Sequence, residues 1–176
     1  DNEARSEYLQ KLGVVLAREL HKNEEAVEVL GEALSNNPTS KASRRALESL
    51  LFSTAATDEN RELRSTMAGM LEPLYSDDEW SKLVHVLDVL IEVADDDLTK
   101  VSLYIREAGM YEAHDAHPRR AFDTYAKAFT LAPDNASARE KLEAIAADLN
   151  NYEILADVYT NASDVAGDAD KISILE

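Results

Sequence analysis

Apolar residues recur every three or four positions along most of the chain, which is the period of an amphipathic α-helix. The pattern predicts nine helices and the start of a tenth, near residues 5–21, 24–36, 40–55, 58–75, 77–95, 98–114, 118–131, 136–149, 151–165 and 169 onward. Glycine and proline are scarce, with 5 and 4 in the whole chain, so short turns must join the helices. We therefore predict an all-α protein.

The helical pattern repeats within the chain. At a shift of about 95 residues, Glu25-Ala26-Val27, Leu30, Ala33, Pro38, Arg44, Leu47 and Glu48 align with Arg120-Ala121-Phe122, Tyr125, Ala128, Pro133, Arg139, Leu142 and Glu143. A second match, at a shift of about 72, aligns Trp80 with Tyr152. The first half of the chain therefore carries roughly 23 additional residues, which correspond to one added helix.

Two segments share a spacing of small and large residues that ends in proline: Ala26, Leu30, Ala33 and Pro38, and then Ala121, Tyr125, Ala128 and Pro133. The helix before each segment has its own pattern, with Leu9, Leu12, Gly13 and Leu16 in the first copy and Tyr104, Ala108 and Tyr111 in the second. Both patterns resemble the tetratricopeptide repeat, although Glu107 stands where that family has leucine. The resemblance implies a right-handed superhelical stack of antiparallel helical hairpins, with about nine to ten helices in which small residues let paired helices approach closely.

The resemblance also implies a single array over residues 1–176, with repeats near 6–39, 60–97, 99–135 and 136–167 and an extra helix near 40–55. The copy at 60–97 is degenerate, and the stretch 40–55 leaves local armadillo-like or HEAT-like packing open. A new apolar stripe begins at Ile172, Ile174 and Leu175, but the chain stops after about two turns, too short for a stable helix. We therefore expect the chain to be a piece of a longer repeat protein.

Two local patterns near the middle of the chain make specific predictions. Pro73 interrupts an apolar stripe that Met70 and Leu74 continue, so we predict a kinked helix there. Ser76 and Glu79 have the spacing of a capping box at the start of the next helix.

Composition narrows the classes of partner and compartment. The formal net charge of −17 disfavours nucleic acid and anionic lipid, because binding to either depends on Lys and Arg. No apolar stretch approaches the roughly 20 residues that span a bilayer. The chain lacks cysteine, which suits a reducing compartment, so we expect a cytoplasmic protein. The sequence begins at Asp1, and any leader or membrane segment would lie outside it.

The best candidate for metal chemistry is the pair His114 and His117, which have the i, i+3 spacing of ligands on a helix. They precede Pro118 in a predicted turn without a third ligand nearby, so we interpret them as solvated turn residues. Acidic runs at 77–79 and 95–97 lack the ligand spacing and the glycine of a calcium loop. No nucleophile, base and orienting carboxylate form a recognisable set. We therefore expect no metal, no cofactor and no catalytic residue.

The resemblance to the tetratricopeptide repeat also implies a function. In that family the first helices of successive repeats line a concave groove that takes an extended peptide or a partner helix. The matching positions here are Glu7, Gln10, Val14 and Arg18 in the first copy and Ile105, Gly109, Glu112 and Ala113 in the later one. Gln10 and Ile105 stand where some members use lysine to clamp a C-terminal carboxylate, so we reject that specialisation. We expect a non-catalytic protein-binding scaffold whose acidic or apolar groove favours a basic or hydrophobic ligand.

Two alternatives stay open at this point. The first is a structural module that forms homo-oligomers through the exposed ends of the array, with the stripe at Ile172–Leu175 docking on another copy. The second is a metal-dependent enzyme that uses His114 and His117.

Overall fold

The computed structural model describes residues 2–115 and 118–165, and every regular element in these two ranges is a helix. The α-helices there are α1 (Asn2–Arg18), α2 (Asn23–Asn36), α3 (Lys41–Ser53), α4 (Arg61–Leu71), α5 (Trp80–Val93), α6 (Asp97–His114), α7 (Pro118–Leu131), α8 (Ala136–Asp148) and α9 (Tyr152–Val165). Short 3₁₀ turns lie at Asp58–Asn60, Glu72–Leu74 and Asp77–Glu79. The predicted all-α class is confirmed. None of the described helices has the length and apolarity needed to cross a bilayer.

The predicted helices match the observed ones to within a few residues, with one correction at Pro73. The kinked α-helix predicted through this residue is wrong, because α4 ends at Leu71 and Glu72–Leu74 form a 3₁₀ turn. Proline suits the start of such a turn, since its ring fixes φ and its nitrogen has no hydrogen to leave unpaired. The predicted tenth helix and its apolar residues at 172–175 lie outside the described residues.

The chain divides into two compact units, Asp1–Val93 and Ala94–Glu176. In the first unit α1 and α2 form a hairpin, α3 contacts both of them, and α4 contacts α2, α3 and α5. The core lies between these successive helices, and its fully buried side chains include Leu30, Leu47 and Met67. Each helix therefore buries its apolar stripe against helices that are close to it in sequence.

Gly13 lies where α1 meets α2 and leaves no room for a side chain. A Cβ atom built there would lie 2.7 Å from Cγ of the buried Leu30. On the same face of α1, the hydroxyl of Ser6 donates a buried hydrogen bond of 2.8 Å to the carbonyl oxygen of Ala33. The close approach of these two helices therefore depends on the missing side chain at Gly13.

The second unit is built in the same way. α6 and α7 form a hairpin, α7 contacts α8 and α9, and α8 and α9 contact each other. The core contains the buried side chains of Phe122, Phe129 and Leu142. Ala121 and Ala128 are fully buried within it, as the matching Ala26 and Ala33 are in the first unit.

The sequence repeat extends to side-chain contacts within each unit. In the first unit the hydroxyl of Tyr75 donates a hydrogen bond of 2.8 Å to Glu48. In the second unit the hydroxyl of Tyr159 donates one of 2.7 Å to Glu143, which matches Glu48 in the repeat. Burial, together with the bond to Glu143, raises the pKa of Tyr159 to about 12. The matched glutamates therefore each accept a hydrogen bond from a tyrosine, although the two tyrosines stand at different positions of the repeat.

Replacing Gly13 with alanine is expected to destabilise the chain, although alanine favours a helix by about 1 kcal/mol. The new methyl group would overlap Leu30, and overpacking of this kind costs about 1–3 kcal/mol. Gly69→Ala is the matched control, because Gly69 is exposed in α4 and a Cβ atom built there meets open space among the described residues. That control should stabilise the chain by up to about 1 kcal/mol. Urea unfolding followed by circular dichroism measures both effects, and equal effects would contradict the close approach at Gly13.

Candidate functional site

A groove of about 390 Å³ lies on the first unit between α1 and α3. Val14 and Arg18 lie on its α1 side, and the buried side chains of Leu30 and Leu50 form part of its floor. The other lining residues are small or polar: Gly13, Ala17, His21, Asn23, Ala46, Ser49 and Ser53. These residues together define the α1–α3 groove.

The α1–α3 groove is open because small side chains stand where the second unit has an ion pair. At the shift of about 95 residues, Ala17 and Ala46 match Glu112 and Lys141. The ammonium of Lys141 lies 2.6 and 2.9 Å from the two carboxylate oxygens of Glu112, so this pair bridges α6 and α8. Alanine has no atom beyond Cβ to form such a bridge. The space between α1 and α3 therefore remains accessible.

The ion pair in the second unit is supported by a buried tyrosine. The hydroxyl of Tyr125 donates a hydrogen bond of 2.9 Å to Glu112. The pKa of Glu112 is lowered, first by the hydrogen bond from Lys141 and then by the one from Tyr125. Burial and the bond to Glu112 raise the pKa of Tyr125. A partner that used Glu112 would have to displace these contacts.

The predicted groove residues of the first unit all lie on one face of α1. Val14 and Arg18 line the α1–α3 groove. Glu7 and Gln10 are nearer the N-terminus of the helix and are not among its lining residues. Glu7 is exposed, whereas Gln10 is partly buried. The groove therefore begins at Gly13 and extends towards the C-terminal end of α1.

The predicted groove residues of the second unit are as exposed as those of the first, but they do not line the cavity found on their own unit. Ile105 and Gly109 are partly buried in α6, whereas Ala113 is exposed at its end. A cavity of about 350 Å³ on this unit is lined by other residues, which include Tyr104 and Val158. The accessible groove of the first unit is therefore the stronger candidate site.

The tetratricopeptide pattern does not predict the α3 side of the groove, because residues 40–55 do not match a standard tetratricopeptide helix. The sequence nevertheless carries a signal for it. Within the long match at a shift of about 95 residues, the positions of Ala17 and Ala46 differ together in size and charge from Glu112 and Lys141. A paired difference of this kind indicates two positions that face each other and marks where one copy is open and the other is closed.

Arg44 joins α3 to the segment that precedes α5. Its guanidinium donates hydrogen bonds of 2.8 and 2.7 Å to the carboxylate of Glu79 and one of 3.0 Å to the carbonyl oxygen of Leu74. The same guanidinium lies 5.2 Å from the centroid of the Tyr75 ring. The predicted capping box is wrong, because Ser76 makes no side-chain cap hydrogen bond and Glu79 binds Arg44 instead.

Further along α3, Glu48 lies 3.4 Å from the ammonium of Lys82, and Phe52 meets the ring of His85 edge-on at 6.4 Å between centroids. α3 therefore contacts α5 on one side and α1 on the other. Its remaining face is exposed between them, next to the α1–α3 groove.

No cluster of three or more His, Asp or Glu side chains suited to a metal ion occurs among residues 2–115 and 118–165. His114 is exposed at the end of α6. His117, the other member of the candidate pair, lies outside the described residues.

The chain matches none of the protein-family models and none of the curated proteins with which it was compared. The tetratricopeptide resemblance therefore stays a prediction that rests on the spacing of residues such as Ala26, Leu30 and Pro38. The geometry of the α1–α3 groove stands independently of that resemblance.

Replacing Glu79 with glutamine is expected to destabilise the chain at neutral pH but not at acid pH. Hydrogen bonds from Arg44, and then the charges of Arg44, Lys82 and Lys41, hold the pKa of Glu79 below its usual 4.5. A lowered pKa means that the carboxylate stabilises the fold above about pH 4.5, and this contribution is lost as the pH falls through the folded-state pKa. The difference in unfolding free energy between wild type and variant should therefore shrink on acidification.

Urea unfolding at pH 7 and at acid pH measures this difference. Asp77→Asn is the control, because Asp77 is an exposed carboxylate in the same 3₁₀ turn and makes no ion pair within the described part of the chain. A Glu79→Gln effect that does not vary with pH would show that the ion pair with Arg44 adds nothing to stability.

Proposed function

We propose that this chain is a non-catalytic protein-binding module that holds an extended peptide in the α1–α3 groove. The observation that carries the proposal is the accessible space that Ala17 and Ala46 leave between two helices whose counterparts are bridged by an ion pair. A groove of about 390 Å³ is within the range of small-ligand sites and accepts a few side chains of a peptide.

The lining of the α1–α3 groove suits a peptide better than an apolar ligand. Leu30 and Leu50 offer an apolar floor for one side chain. Above them, Asn23, Ser49 and Ser53 offer hydrogen-bond donors and acceptors that an extended backbone needs, since it keeps its own amides unpaired. This combination of an apolar floor and polar walls is the usual composition of a specific binding site.

The finer architecture belongs to the same proposal. We propose a right-handed superhelical, tetratricopeptide-like stack, supported by the succession of helical hairpins within each unit and by the internal sequence repeat. In such a stack the first helices of neighbouring hairpins are adjacent, as α1 and α3 are in the first unit. A cytoplasmic location is proposed from the lack of cysteine.

Self-assembly is the second candidate, and it stays a prediction. The apolar residues that motivated it, Ile172, Ile174 and Leu175, lie outside the described residues. The metal-dependent enzyme rested on His114 and His117, and only the first of these is described. We therefore rank peptide binding first.

The direct test is to close the α1–α3 groove with the ion pair of the second unit. Peptides are first selected for binding to the wild-type chain from a random phage-displayed library. The double substitution Ala17→Glu with Ala46→Lys should then weaken the affinity of a selected peptide by at least about tenfold, measured by fluorescence anisotropy. The net charge does not change, so the loss would come from filling the groove.

The matched control opens the second unit instead, with Glu112→Ala and Lys141→Ala. This variant should bind the selected peptide within about twofold of wild type, a difference well under 1 kcal/mol. If groove closure left the affinity unchanged while the control abolished it, the site would lie on the second unit and the proposal would be wrong.

A further inference from the structure

The exposed face of α3 carries positive charge that the net charge of the chain conceals. Lys41, Arg45 and Ser49 follow one another at intervals of four residues, and all three are exposed. Neither Lys41 nor Arg45 makes an ion pair within the described part of the chain. We refer to Lys41 and Arg45, with the exposed surface between them, as the α3 cationic stripe.

The cavity next to this stripe is lined by more basic than acidic side chains. A cavity of about 350 Å³ at the start of α3 is lined by Thr39, Lys41, Arg45 and Lys82, with Glu79 as its acid. Glu79 is already bound by Arg44 at 2.7 and 2.8 Å. Although the charge of Lys41 also acts on Glu79, this one carboxylate faces four basic side chains in the cavity lining, so it neutralises them only in part. The cavity therefore keeps an excess of positive charge.

The α1 side of the groove adds further positive charge. Arg18 is exposed, lines the α1–α3 groove and makes no ion pair within the described residues. Lys11 lies seven residues before it, on the same face of the helix, and is also exposed. Glu3 and Glu7 are acids on this face, nearer the N-terminus of the helix, and the exposed Glu19 follows Arg18. Cations therefore flank the groove on both helices.

Exposed acidic residues of the first unit are most numerous on α2 and around the start of α4, and Glu24 and Glu25 among them lie beside His21 and Asn23 at one end of the groove. The exposed ones on α2 and around the start of α4 are Glu24, Glu25, Glu28, Glu32, Asp58, Glu59 and Glu62. The surface along α3 at Lys41 and Arg45 is therefore cationic in a chain whose net charge is −17. The net charge alone predicts a basic partner, but the charges along this surface have the opposite sign.

We infer that the ligand of the α1–α3 groove is an acidic peptide whose carboxylates contact Lys41, Arg45 and Arg18. This inference rests on the proposed function and adds the chemistry of the ligand. At physiological salt the Debye length is about 8 Å, so a bound carboxylate feels the adjacent cations more than the acids on distant faces. A nucleic acid fits less well, because its long run of phosphates would extend beyond the cationic face into the negative field of the chain.

The test uses a fluorescein-labelled hexaglutamate peptide, with hexalysine and single-stranded hexathymidylate as the competing chemistries. Anisotropy at low salt should show hexaglutamate as the tightest of the three. The double substitution Lys41→Glu with Arg45→Glu should weaken its binding by at least about tenfold, because each position changes from attraction to repulsion. Tighter binding of hexalysine or of hexathymidylate to the wild-type chain would overturn the inference.

A charge-matched control separates the stripe from the net charge. Arg119→Glu with Arg120→Glu makes the same change in net charge at two exposed positions of α7, and its affinity for hexaglutamate should stay within about twofold of wild type. Equal losses in the two double variants would show that only the net charge matters and would overturn the inference. Folding of each variant is checked by circular dichroism. Glutamate at position 41 is compatible with the helix dipole, because it lies in the first turn of α3. Lys41→Gln with Arg45→Gln is a second variant that removes the two positive charges without adding negative ones.

Different experimental results would contradict the acidic ligand and the groove itself. If Ala17→Glu with Ala46→Lys left hexaglutamate binding intact while Lys41→Glu with Arg45→Glu removed it, the cationic stripe would stand and groove binding would be wrong. If selected peptides bound in the groove but carried no acidic residues, the groove would stand and the acidic ligand would be wrong.

Discussion

Close approach of paired helices is the constraint on which the structure depends. In the first unit Gly13 provides it, since Leu30 occupies the space that a side chain at this position would need. In the second unit Ala108 and Ala121 are fully buried at the matching positions of the hairpin. Helices of 11 to 18 residues are marginal alone, so their stability comes from apolar stripes buried against neighbouring helices. Once these stripes are buried, the outer faces are free to differ between the two units.

The size of the side chains between helices also determines where the surface is open to a ligand. One helical turn after Gly13, Ala17 faces Ala46 across the α1–α3 groove. In the matching place Glu112 and Lys141 form an ion pair and fill the gap. Two copies of one structural pattern therefore differ in the space they leave between helices, through residues that contribute little to the core. Small residues permit close packing at Gly13 and leave an accessible groove at Ala17.

Local patterns predict most of the fold, whereas contacts between distant residues account for what they miss. The apolar period located each described helix to within a few residues, because burial follows that period directly. The capping box predicted from Ser76 and Glu79 was wrong, because that pattern considers only residues close in sequence. The carboxylate of Glu79 instead binds Arg44, which lies 35 residues away. The prediction at Pro73 failed for a related reason, because a helix either bends at proline or ends in a 3₁₀ turn, and the following segment decides which.

The candidate site was predictable only in part. The resemblance located Val14 and Arg18, but it gave no role to α3, and a net charge says nothing about where the charges lie. The most direct test of the account is a titration of ¹⁵N-labelled chain with a selected acidic peptide, followed by amide chemical shifts. Binding in the α1–α3 groove should give the largest changes in α1 from Gly13 to Arg18 and along α3 from Lys41 to Ser53. Changes concentrated on α2 and α4, or in the second unit, would contradict it.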